Sequence, residues 1–287
     1  MKIRTAITFH FIFIALQRIS KIGLFACLLT FGLNTHAQNP PGTVPFGGNL
    51  YWDVTEISNQ QYREYEFWVK KQFGIGSPEH KAVLPDTTVW RSKNHYNEPF
   101  VEFYYRHPAY ASYPVVGVSY DQVVAFCQWR SDRVNEKHYR DKNKLDEAIA
   151  IDFDKIPNIY KFRLPTQNEW EKIAAAGYSP KTLKKMSKKK YANKPHENFI
   201  RNAPIEPLKN SVLSDNAGIT TNVLSYFPNS VGVFNIMGNV AEMTATKGIA
   251  KGGSWLHTKE ESTIEKIFTY EKPTKWLGFR CVCEIKQ

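Results

Sequence analysis

The residues best suited to chemistry crowd toward the C-terminal end. Residues 229–242 read Asn-Ser-Val-Gly-Val-Phe-Asn-Ile-Met-Gly-Asn-Val-Ala-Glu, and the blocks Lys251-Gly252-Gly253-Ser254-Trp255 and Gly278-Phe279-Arg280-Cys281 follow. Asn235, Gly238, Val240 and Glu242 offer alternating side-chain and backbone oxygens, a donor set suited to a hard cation such as Ca²⁺. The same residues also make a satisfied polar turn in which Asn and Gly accept unusual backbone angles, and spacing alone leaves both readings open. Ser254 has no paired base in the sequence, so it reads as structural. His257 has no second histidine, cysteine or carboxylate at a convincing spacing, and reads as a loop histidine ahead of a metal ligand. No P-loop, dinucleotide fingerprint, HExxH or nucleophile elbow is present.

Those blocks need a sizeable frame. The chain has 287 residues, 42% hydrophobic and 14% aromatic, with a mean hydropathy of −0.44. That is ample for one large soluble domain with its own core, and no internal repeat divides it. The formal charge is +11, and six of the ten residues from Lys181 to Lys190 are lysine. Such a run is ordinarily a solvated loop, and without interleaved aromatics or a known module no nucleic-acid partner is expected.

Residues 1–37 read as a signal peptide. Arg18 and Lys21 precede the apolar run Ile22–Leu33, and Thr35-His36-Ala37 supplies small residues before Gln38. An uncleaved anchor competes, weakened by the polar break at Gln17–Lys21, and lipidation at Cys27 is a third reading. Export, to the periplasm or the outer-membrane surface, permits a disulfide. Cys281 and Cys283 are too close in sequence to bridge comfortably, so Cys127 with Cys281 is the natural pair. Three buried thiols are the alternative.

Residues 38–48, rich in proline and glycine, read as a linker, and residues 49–287 as the domain proper. Leu50–Val54 is strand-like. Ser58 or Asn59 caps a helix through Val69, and Ser119 caps a second whose Val123, Phe126 and Cys127 face inward. Residues 73–95 read as irregular and residues 140–159 as a charged insertion. Thr166 and Glu169 form a capping box at the head of a third helix, so Glu169 is assigned structure rather than chemistry. Lysine-rich sequence and loop follow, and then short strands with turns.

Taken in order, Tyr113-Pro114-Val115 with Val118-Ser119, Arg163-Leu164-Pro165-Thr166 with Glu169-Trp170-Glu171, Gly238-Asn239-Val240 with Glu242, Lys251-Gly252-Gly253-Ser254-Trp255 and Gly278-Phe279-Arg280 resemble the formylglycine-generating enzyme, or sulfatase-modifying factor, family. The resemblance implies a single loop-rich α+β domain related to C-type lectins. It also implies a structural Ca²⁺ on Asn235, the Gly238 and Val240 carbonyls and Glu242. A second Ca²⁺ would fall on Asp215, the Ala217 carbonyl and Asn202. The Cys127–Cys281 disulfide is implied as well. Enzymes of that family bind copper through two cysteines, and the corresponding positions are His257 and Ser262. Neither is a thiolate, and Cu(I) needs soft sulfur ligands, so no copper is expected.

The blocks Tyr51-Trp52-Asp53-Val54-Thr55-Glu56, Leu84-Pro85-Asp86-Thr87-Thr88-Val89-Trp90 and Tyr104-Tyr105-Arg106-His107-Pro108 further resemble the gliding-motility and type IX secretion lipoproteins of Bacteroidota. That likeness implies a non-catalytic envelope component. It would act through protein partners, with peripheral membrane association. The competing expectation is a metal-dependent oxidoreductase with altered ligands around His257. A carbohydrate-binding role is a distant third.

Overall fold

Three helices begin where the sequence supplies reciprocal caps. In the computed structural model, which describes residues 39–93, 96–192, 194–199 and 218–286, helix α1 spans Asn59–Phe73. The Ser58 hydroxyl accepts from the Gln61 backbone and the Gln61 side chain accepts from the Ser58 backbone. Two orphan donors at the helix start are thereby satisfied. After the short helices α2 (Pro78–Val83) and α3 (Glu98–Phe103) comes α4, Tyr120–Asn143, with the same box from Ser119 and Gln122. Helix α5, Gln167–Ala174, uses Thr166 and Glu169. Helix α6 spans Pro180–Met186.

The strands form two small sheets. In the first, β1 (Thr43–Pro45), β2 (Leu50–Asp53), β3 (Tyr160–Arg163) and β8 (Val282–Ile285) lie in the order β1-β2-β8-β3, antiparallel throughout. In the second, β4 (Ala241–Met243), β5 (Ile249–Lys251), β6 (Phe268–Thr269) and β7 (Leu277–Gly278) lie in the order β6-β5-β4-β7, with β4 and β7 parallel. Long loops carry the rest of this α+β chain. No helix among the described residues is long and apolar enough to cross a membrane.

Aromatic rings fill the space between helices and sheets. Tyr62 of α1 stacks on Phe126 of α4 at 5.6 Å, and Phe279 meets Phe126 edge-on at 5.4 Å. Each fully buried ring of this size contributes about 2–3 kcal/mol by leaving water. Helix α4 is tied to β3 by Asn135, whose Nδ2 donates to the Tyr160 carbonyl and whose Oδ1 accepts from the Tyr160 amide, both at 2.8 Å.

The structure departs from the sequence reading in three segments. Residues 38–48 are not all linker, because Thr43–Pro45 pairs with β2 as an edge strand. Residues 73–95 hold α2, capped where the Ser77 hydroxyl accepts from His80 N. The lysine run is partly helical as α6, capped by Ser179. Residues 1–37 and Cys27 lie outside the described residues.

Candidate functional site

Where the two sheets approach one another, an unusual amount of charge is buried. Arg280 is wholly inaccessible; its Nε and Nη2 donate to Glu242 Oε1 at 2.8 and 2.6 Å, and Nη2 also donates to the Phe234 carbonyl at 2.9 Å. Glu242 Oε2 accepts from Trp170 Nε1 at 2.8 Å. A second carboxyl, Glu56, lies 3.9 Å from Arg280 and accepts from Asn239 Nδ2 at 2.8 Å. Burial pushes the Glu56 carboxyl up to about 8, against the pull of Arg280, and burial raises Glu242 as well. Two carboxyls thus share one guanidinium in a dry site. The arrangement pins β4 to β7 and its flanking turns, and it pins both to α5.

The residues expected to hold Ca²⁺ are brought together here. Asn235 and Asn239 take left-handed backbone angles, φ 48° and 60°, and Gly238 takes φ 80°. A Cβ on Gly238 would stand 2.8 Å from the Asn198 carbonyl oxygen, which explains the glycine. Asn235 Nδ2 donates to the Val223 carbonyl at 3.1 Å, while its Oδ1 is buried with no partner. That orphaned oxygen fits a cation ligand. Glu242 fits less well, since an arginine and an indole already engage both of its oxygens. Asp215, Ala217 and Asn202 lie outside the described residues.

Cys127 and Cys281 are also brought together, as buried thiols with sulfurs 3.5 Å apart. A bond between them would require the sulfurs to close by about 1.5 Å. Burial raises the Cys281 thiol far above its usual range. Beside it Arg130 grips Asp53 through two 2.8 Å bonds, and Asp53 accepts from Cys281 N. Cys283 is buried and unbridged.

Ser254, His257 and Ser262 form a self-satisfied turn. The Ser254 hydroxyl meets His257 Nδ1 at 2.8 Å and accepts from Leu256 N, while Ser262 Oγ donates to the Thr258 carbonyl at 2.8 Å. The His257 ring lies 4.4 Å from Phe268 and edge-on to Trp276 at 5.3 Å. Burial holds its pKa below the ordinary histidine value, so it is neutral at pH 7. Among the described residues no group of three His, Cys, Asp or Glu side chains converges.

Beside this turn opens a cleft of about 610 Å³ whose walls include Trp90, Phe100, Tyr110, Tyr113, Trp255 and Lys275. Trp90 and Trp255 stack at 6.0 Å, Trp90 meets Phe100 at 5.3 Å, and Tyr110 meets Tyr113 edge-on at 5.2 Å. Lys275 Nζ stands 5.9 Å above the Trp255 ring. Sequence reasoning named Trp90, Tyr113 and Trp255 in separate blocks, but had no means of joining them to one another or to Lys275. The cleft is equipped to hold an extended or ring-bearing ligand by contact. Ser254, which the sequence left without a base, has one in His257, but its hydroxyl is fully buried behind the cleft and neither residue is among the described residues that line it.

Several solved structures are similar to this chain at low identity. The crystal structure of CarF is 19% identical, with TM-score 0.45 over 85% of this chain and 96% of that one. PvdO from Pseudomonas aeruginosa is 15% identical, with TM-score 0.49 over 84% and 83%. Treponema denticola variable protein 1 is 17% identical, with TM-score 0.41 over 85% and 91%. No curated protein matches. The family described as "Sulfatase-modifying factor enzyme 1-like domain" matches residues 23–285, nearly the whole chain, and the protein belongs to that family.

Proposed function

We propose that this is a non-catalytic, exported member of the sulfatase-modifying factor family. It serves as a structural or accessory component of a gliding-motility or type IX secretion machine and engages a protein partner through its loops. One observation carries the reading. His257 and Ser262, which the resemblance sets at the positions of the family's copper-binding cysteines, are each committed to a local hydrogen bond. The neighbouring cleft offers rings in place of reactive groups. Neither side chain supplies the soft sulfur that Cu(I) requires. Ca²⁺ bound at Asn235 and the Gly238 and Val240 carbonyls, together with a Cys127–Cys281 bridge, would stiffen the frame that presents those loops. Association with the membrane would be peripheral.

Two measurements on the purified exported chain test this. Elemental analysis and oxygen uptake with a cysteine-containing peptide are expected to show no stoichiometric copper or iron and no oxidation. Stoichiometric copper or iron that disappears in His257→Ala would establish the metal-dependent oxidoreductase instead. In the native bacterium, the protein is expected to co-purify with envelope machinery, and Trp255→Ala to lose that association. Normal spreading and secretion in a deletion strain would remove the machine from the proposal.

A further inference from the structure

The lysine run acquires in the fold what it lacks in the sequence, namely aromatic neighbours. Lys181, Lys184 and Lys185 share one exposed face of α6 by their three- and four-residue spacing. Lys185 Nζ stands 5.1 Å from the Phe227 ring and 5.8 Å from Tyr191, and Lys190 stands 5.3 Å from Tyr191. Tyr191 and Phe227 themselves meet edge-on at 5.3 Å. Between them lies a pocket of about 390 Å³, whose walls include Lys185, Lys194, His196 and Tyr226. Tyr226 holds a left-handed backbone, φ 66°, rare for an aromatic residue.

The charge accounting is one-sided. Among the described residues, no carboxylate lines this pocket. The nearest in sequence, Glu197, is paired with Lys259 at 2.6 Å. Among the described residues, no ion pair involves Lys185, Lys190 or Lys194. A solvated lysine surface needs neither a concavity nor rings to hold its ammoniums, and this one has both. The ammonium groups stand within 5.1 to 5.8 Å of the two ring centroids, so charge and aromatic carbon are close together at this pocket. Burial keeps His196 below the ordinary histidine value, leaving it a neutral hydrogen-bonding group beside the lysines.

We infer that the pocket between α6 and the turn at residues 226–227 binds a multiply charged oxyanion of the phosphate class. A small phosphorylated solute or a phospholipid headgroup would present it. Lysine is a point-charge partner for phosphate, and ammoniums held in place over rings lose less freedom on binding. The site stands apart from the Trp255 cleft and does not depend on the function proposed above.

The test uses the full chain at fixed ionic strength, titrated with pyrophosphate, and vesicles of phosphatidylcholine with or without phosphatidylglycerol. Lys185→Ala/Lys194→Ala is compared with Lys71→Ala/Lys272→Ala, which alters the same charge at exposed sites elsewhere. Saturable pyrophosphate binding that weakens about tenfold or more in the first variant only identifies a soluble source. Sedimentation with phosphatidylglycerol vesicles alone, lost in the same variant, identifies a lipid. In either case the His196 ring is expected to titrate at higher pH when ligand is present. No binding of either probe, or equal weakening in both variants, overturns the inference.

Discussion

Replacing Glu56 by glutamine should make the protein's stability less dependent on pH. Glu56 is fully buried, and its carboxyl is pushed up to about 8 from a usual 4.5. The folded chain therefore keeps a proton that the unfolded chain releases as pH rises through 4.5. Stability falls across that window, by about 1.4 kcal/mol per pH unit, and the loss is complete above the folded value. Between pH 5.5 and 7.5 this group alone removes roughly 3 kcal/mol, with Arg280 shared between Glu56 and Glu242 as the main source of departure. Glutamine releases no proton. It also fits locally, because its oxygen can accept from Asn239 Nδ2, as Glu56 Oε1 does at 2.8 Å. Its NH₂ group would face Asn235 Nδ2, another donor, so the substitution also carries a fixed cost at every pH. Urea midpoints at pH 5.5 and 7.5 measure the effect. Whatever its fixed offset at pH 5.5, Glu56→Gln should gain roughly 3 kcal/mol on wild type by pH 7.5. A constant offset at both would show that Glu56 is ionised in the folded protein, and the reasoning would fail.

Other outcomes follow from particular contacts. Gly253→Ala would place a Cβ 2.1 Å from Ser262 Oγ at φ 67°, so it should cost about 2–3 kcal/mol in chemical denaturation, partly restored by Ser262→Gly. Glu169 is held at about 2 by Arg163, so its contribution is present above pH 4.5 and is lost as pH falls through 2. Glu169→Gln should therefore cost about 1–2 kcal/mol at pH 7, discounted for its partial exposure, and little at pH 2. Added Ca²⁺ should raise the melting temperature and Asn235→Ala should abolish that rise; equal shifts in both would place the ion elsewhere.

The sequence made the capped helices legible because each cap is local. Ser58 with Gln61, Ser119 with Gln122 and Thr166 with Glu169 sit three residues apart and declare their own geometry. Strand β1 was hidden because its three residues end in a proline, which only an edge strand tolerates. Helix α6 was hidden because lysine repeats look like solvated loop. Of the candidate site, the blocks around Glu242, Trp255 and Arg280 were readable, but their partnerships were not. Glu242 is joined to Trp170 across 72 residues, and Asn239 to Glu56 across 183. Such pairings depend on the whole fold, and no spacing rule reports them.

The place of β8 has a consequence for how the chain is made. Its four residues, nearly the last described, run between β2 and β3 and donate or accept along both edges. Until they leave the ribosome, the N-terminal strands have no central neighbour and the first sheet cannot close. The pairing joins residues far apart in sequence, such as Leu50 with Glu284, so closing this sheet is a slow step governed by long-range contacts.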